Sequence, residues 1–262
     1  MTPTRRQFLV AVPALVLAAC TAARRATRGA ARPTTTSVTD RSSTGPAPSP
    51  ATSAPLPGNA RATLPAFVAN GSRDRPIVAL TFHGSGDVAL LDRLLAVAAT
   101  HRAPLTIFAV GQWLDANPAI ARRVLDAGHE LANHTYTHPA LGRVGADAAR
   151  REVQQCRDAL IRHAAGPGKW FRPSGVEVPS ATILAAAAAA GYSTVVGYDV
   201  DPRDYQDPGA AVVRARVAAG VRPGAIVSLH TGHLGTVDAL PGILDDLDAR
   251  GLRPVTVSGL LL

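Results

Sequence analysis

The stretch "PIVALTFHGSGDVALLDRLLAVAATHRAPLTIFAV", residues 76–110, decides the fold. "PIVALTF" (76–82) is rich in β-branched and aromatic residues and reads as a strand. "VALLDRLLAVAATH" (88–101) spaces its leucines as a helix does. "LTIFAV" (105–110) reads as a second strand. Strand, helix and strand in this order imply parallel pairing through a right-handed crossover.

The same alternation continues outward. Further strands are expected at 129–133, 169–171, 193–198, 225–230 and 254–258. Helices are expected in "NPAIARRVLDAG", "ADAARREVQQCRDALIRHA", "SATILAAAAAAG", "GAAVVRARVAAG" and "VDALPGILDDLDARG". Several open on Ser or Asn-Pro and close on Gly, the ordinary punctuation of helices. Seven strands in about 190 residues suit an α/β domain, either a small barrel or a doubly wound sheet.

The N-terminus reads as a targeting segment. Arg5 and Arg6 precede an apolar run from Phe8 to Ala19 that ends at Cys20. Residues 1–19 are expected to be a twin-arginine-like signal peptide, and "LAAC" to be a lipobox that makes Cys20 the lipidated residue. Residues 20–63, rich in Ala, Pro, Thr and Ser, bury too little apolar surface to fold and are expected to be a disordered stalk. The folded domain is expected over 64–262. The expected location is the outer face of the cytoplasmic membrane, reached through a lipid anchor. The net charge of +8 belongs mainly to the segment before Leu64, since 19 basic residues face 18 acidic ones from there on. A nucleic-acid partner is not expected, because no basic cluster marks the domain. With Cys20 acylated, Cys156 has no disulfide partner and is expected to be a small buried residue in a helix.

Polar residues gather after the strands. His83 follows the first, His134 and His138 the third, and Arg172 the fourth. Asp199, Asp201 and Asp204 follow the fifth, and His230 and His233 end or follow the sixth. Parallel β/α barrels place their chemistry at strand carboxyl ends. The two imidazoles of "GHELANHTYTHP" (128–139) suit zinc, which takes imidazole and carboxylate ligands. Pro139 disfavours a helix at His138, so a loop is expected to present the pair.

The domain resembles the NodB-type polysaccharide deacetylases, carbohydrate esterase family 4, over about residues 75–260. "TIFAVGQWLDANPAIARRVLDAGHELANHTYTHP", "WFRPS", "YDVDPRDY" and "GAIVSLHTG" are similar to four of that family's motifs, in order. The resemblance implies an incomplete (β/α)7-type, TIM-like barrel. It also implies metal-assisted removal of acetyl groups from a cell-wall polysaccharide, peptidoglycan or a chitin-like glycan.

The first motif departs from the family. Where members carry "TFDDG", with a base and then a metal ligand, this chain reads "TFHGSGD". His83 stands at the base position, and Gly84 has no ligand to offer. The expected metal set is therefore Asp87, His134 and His138 around a divalent ion, expected to be Zn2+. The alternatives are that His83 is the third ligand or that the metal has been lost. The resemblance further makes His230 the acid, Asp201 the carboxylate that orients it, and Arg172 a neighbour of His83 that keeps its ring neutral. A competing reading is a glycan-binding lipoprotein that has lost turnover. Trp113 is expected at a β/α junction and Trp170 in the core. His101, His129 and His163 are expected to be structural.

Overall fold

The computed structural model describes residues 64–262. The expected signal, Cys20 and stalk lie outside the described residues. Seven strands run in the order β1 (Phe67–Val68), β2 (Ile77–Gly84), β3 (Thr106–Ala109), β4 (Glu130–Asn133), β5 (Val195–Val196), β6 (Ile226–His230) and β7 (Arg253–Val255). The helices are α1 (Val88–Thr100), α2 (Gly111–Ala116), α3 (Ala119–Asp126), α4 (Ala146–Ala164), α5 (Ala181–Ala189), α6 (Ala210–Gly220), α7 (Leu234–Ala249) and α8 (Val257–Leu261).

Every pairing between these named strands is parallel. β4, β3, β2 and β6 lie side by side, β7 also pairs with β2, and β1 pairs with β5. Isolated bridges from Phe171 to Asn133 and Val195, and from Val200 to Val227, carry the path between the two sheets. The result is an incomplete α/β barrel.

β2 is its central stave, and all eight of its residues are buried. Side chains alternate between the two faces of a strand. Val78, Leu80 and Phe82 therefore join the apolar layer under the helices, with Leu91, Leu94, Val227 and Leu240. Ile77 and Ala79 turn inward to Phe108, Trp170, Val196 and Ile226. Thr81 and His83 continue this inner row, which delivers His83 to the carboxyl end of the barrel.

Local signals account for most boundaries. Asp87 caps α1 by accepting the Ala89 N–H at 2.9 Å, and Thr256 caps α8 through the Gly259 N–H at 3.1 Å. That second cap ends the expected last strand at Val255. The expected strand at 169–171 reduces to the bridge at Phe171. α7 begins at Leu234, three residues before its expected start, and carries Pro241 internally. β1 and α2 were not expected. Each is short, and tertiary contacts sustain them more than local pattern does. Trp170 is in the core, its indole N–H shared between Glu130 and Ser258 at 3.0 Å each. Trp113 does pack at a β/α junction, donating to the Gly86 carbonyl at 2.9 Å.

Candidate active site

Five of the eight histidines form one contiguous cluster at the carboxyl end of the barrel. Ring centroids step from His138 to His134 (4.9 Å), His83 (4.1 Å), His230 (4.4 Å) and His233 (5.7 Å). His83 comes from the end of β2, His134 follows β4, and His230 ends β6. Register explains the central contact, because His83 and His230 are direct partners across β2 and β6.

The histidine loop is held in an uncommon backbone. Thr135 (φ 69°) and His138 (φ 61°) both have positive φ. For a β-branched residue such as Thr135 this is a genuine outlier, of the kind that clusters at functional sites. Asn133 Oδ1 holds it in place by accepting the Thr135 N–H at 2.9 Å.

Arg172 lies fully buried beneath the cluster. Its guanidinium donates to the Val196 carbonyl (3.1 Å), the Gly197 carbonyl (2.8 Å) and Thr81 Oγ1 (2.8 Å), and lies 4.1 Å from the Phe108 ring. Among the described residues it has no carboxylate partner. Asp199 pairs instead with Arg73 and Arg222. Burial without a counter-charge pulls the Arg172 pKa down to about 9.

The remaining Arg172 contact fixes the protons of the site. Its Nη1 approaches His83 Nε2 at 3.3 Å. A guanidinium only donates, so His83 Nε2 accepts and the proton of the neutral ring sits on Nδ1. His83 Nδ1 faces His230 Nε2 at 2.9 Å, so that nitrogen accepts in turn. His230 then carries its proton on Nδ1 and donates to Asp204 Oδ1 at 2.7 Å. These tautomers are assigned from the partners. Guanidinium, two imidazoles and a carboxylate thus form one hydrogen-bonded chain. His83 stays neutral because burial, then His134 and Arg172, hold its pKa well below the ordinary 6.5.

The carboxylate on His230 is Asp204, not Asp201. Asp204 is buried and also accepts the His230 backbone N–H at 2.7 Å and the Thr236 hydroxyl at 2.5 Å. Asp201 accepts the Arg203 N–H at 2.8 Å within its own turn and lines the cleft. Arg203 and Asp207, both left-handed at φ 52° and 50°, bracket the single helical turn that folds Asp204 under His230.

The residues expected to hold a metal are only partly brought together. His134 Nδ1 donates to the Arg172 carbonyl at 2.9 Å, which leaves Nε2 as a bare acceptor. That Nε2 is buried with no partner, the tautomer a metal ligand needs. His138 lies beside it as an exposed residue, and desolvation of its ring lowers its pKa. The third donor is lacking. Asp87 is an exposed helix cap turned to Ala89, and both ring nitrogens of His83 are engaged. Among the described residues no three His, Cys, Asp or Glu are grouped to hold a metal ion. The residues present therefore do not fit a centre of two imidazoles and a carboxylate.

A cleft of about 550 Å³ opens above the cluster. Its lining includes His83, His138, His230, Tyr198, Tyr205 and Glu177. Tyr205 is exposed at the rim, 5.4 Å from the His230 ring. Sequence reasoning passed over Thr81 and Tyr205, and it placed Asp204 after the fifth strand without giving it a role. Asp204 shares the stretch "YDVDPRDY" with Asp201, and only the left-handed turn tells the two apart.

Known proteins resemble this chain in sequence and in structure. The Polysaccharide deacetylase family profile matches residues 70–195. A chitooligosaccharide deacetylase of Sinorhizobium fredii is 37% identical over 166 residues, which is 60% of this chain and 73% of that protein. The crystal structure of the Bc1960 peptidoglycan N-acetylglucosamine deacetylase superimposes with a TM-score of 0.70 at 28% identity, covering 75% of this chain and 92% of that one. The BA3943 protein of Bacillus anthracis, described as a pseudoenzyme of carbohydrate esterase family 4, superimposes with a TM-score of 0.71 at 27% identity, covering 76% of this chain and 70% of that one. This chain belongs to the polysaccharide deacetylase family of hydrolases.

Proposed function

We propose that this chain removes acetyl groups from an N-acetylated cell-wall glycan, peptidoglycan or a chitin-like polymer. The observation that carries the reading is the Asp204–His230 pair, a buried carboxylate behind an imidazole that opens on the cleft. A carboxylate on Nδ1 holds His230 in the tautomer whose Nε2 can take a proton. Water inserts between the His83 N–H, from which it accepts, and His230 Nε2, to which it donates, and adds to the acetyl carbon as its proton passes to His230. His138, on the cleft wall, offers an N–H to the acetyl oxygen. The carbon–nitrogen bond then breaks, His230 returns the proton to the sugar nitrogen, and acetate and a free amine leave. Tyr205 presents a ring face on which a sugar can stack.

The family generally uses a divalent metal. Here His134 and His138 supply two donors and the carboxylate is wanting, so no step is assigned to an ion. Lipidation at Cys20 and the stalk at 20–63 would hold the enzyme at the outer membrane face, beside a polymer that cannot diffuse to it. A second reading, glycan binding without turnover, is favoured by the lack of a carboxylate at 83 or 84 in this first motif, beside likeness to a pseudoenzyme.

Acetate release from acetylated chitooligosaccharide and from peptidoglycan tests both. The deacetylase reading expects release that falls about 10²- to 10⁴-fold in Asp204→Asn with little change in KM. Saturable glycan binding with no acetate from either polymer would establish the second reading in its place.

A further inference from the structure

We infer that His83 is a positioning residue, bridging Arg172 to His230, and that this chain has exchanged a resident three-donor metal centre for the resulting hydrogen-bonded imidazole chain. The inference deepens the proposed deacetylase reading and rests on the same cleft.

Three candidates for a third donor are each otherwise committed. His83 is spanned by Arg172 at 3.3 Å on Nε2 and by His230 at 2.9 Å on Nδ1. Its ring also stacks on His134 at 28° between planes. Imidazole lone pairs lie in the ring plane, so two stacked rings cannot aim at one ion between them. Asp87 is the α1 cap. The third candidate is position 84 itself. β2 stays regular to its last residue, with Gly84 paired to Ala109. Strand alternation therefore turns residue 84 away from the row that holds Thr81 and His83. A Cβ placed there would lie 2.7 Å from Ile107 Cγ2, 3.0 Å from Trp113 Cζ3 and 3.2 Å from Ala109 Cα. Ile107 and Trp113 belong to the apolar layer under the helices. Trp113 is pinned there by its bond to the Gly86 carbonyl. The structure has closed over the place a carboxylate would occupy.

The same geometry gives His83 a task. Its Nδ1–H tells His230 which nitrogen is bare, and Arg172 tells His83 the same. An asparagine at 83 can keep the contact to His230, its amide N–H standing where Nδ1–H does, although its oxygen falls short of the Nε2 position that faces Arg172. A leucine can reproduce neither.

Zinc titration calorimetry on the full chain reads the first half. The expected result is no one-to-one binding tighter than about 1 μM, in wild type and in Gly84→Asp alike. A one-to-one site tighter than that in wild type, lost in His134→Ala, would overturn the inference. Steady-state kinetics on variants that keep the wild-type thermal midpoint read the second half. His83→Asn is expected to stay within about tenfold of wild-type kcat, and His83→Leu to lose about a hundredfold or more with KM unchanged and the pH profile displaced. Equal loss in both variants, or none in Leu, would also overturn it.

Acetate release with and without chelator on the same samples separates this inference from the reading beneath it. Release that survives chelation supports both. Release abolished by chelator and restored by zinc refutes the inference and leaves the deacetylase standing. No release from any form refutes the deacetylase, while the calorimetry still decides the metal.

Discussion

At the residue scale, proton placement separates Asp204 from Asp201. Asp204→Asn keeps the shape of the side chain but removes the charge that fixes His230, and acetate release should fall by two to four orders of magnitude. Asp201→Asn should change kcat less than tenfold, because Asp201 bonds its own turn. Equal losses would mean that the bond seen to Asp204 does not govern the chemistry. Cys156 offers a simpler check. Burial pushes its thiol up to about 12. The native chain should therefore leave this thiol unlabelled by Ellman's reagent at neutral pH and release it on unfolding. At this scale much of the site was legible. Histidine, arginine and aspartate after successive strands pointed to one end of the barrel, and they meet there. What could not be read was which of two neighbouring aspartates faces inward. That depends on left-handed backbone at Arg203 and Asp207, where no glycine announces it.

At the element scale, β2 carries the central argument. Its alternation sends Val78, Leu80 and Phe82 to one layer and Ile77 and Ala79 to the other, so His83 is aimed by strand geometry rather than by a loop. Gly84 is the point of closest approach. Gly84→Ala should destabilise the fold by about 1–3 kcal/mol, since its methyl group would press on Ile107 and the Ala109 backbone. The denaturation midpoint in urea measures this, and an unchanged midpoint would show that the strand end is looser than its packing indicates. Long, strongly patterned elements such as α1 and α4 lie close to where periodicity puts them. β1 and α2 escaped notice because two and six residues hold too little pattern, and their partners come from elsewhere in the chain.

At the scale of the whole molecule, the barrel keeps uncharged imidazoles beside a buried cation. Burial lowers the pKa of both His83 and His134 well below the ordinary value. The unfolded chain binds protons there first, so stability is fully present above about pH 6.5 and declines as pH falls toward the folded values. The slope is up to about 1.4 kcal/mol per pH unit for each histidine. Thermal midpoints from pH 8 to pH 5 should fall accordingly, and less steeply in His83→Asn. Removing the cation should be worse. Arg172→Ala would strand the carbonyls of Val196 and Gly197 and open a cavity, at a cost of about 3 kcal/mol or more. The most direct measurement is nitrogen-15 NMR of the imidazole rings at neutral pH. His83 and His230 should both be neutral, each with its proton on Nδ1 and a bare Nε2. Finding His83 charged, or protonated on Nε2, would contradict the chain of bonds from Arg172 to Asp204.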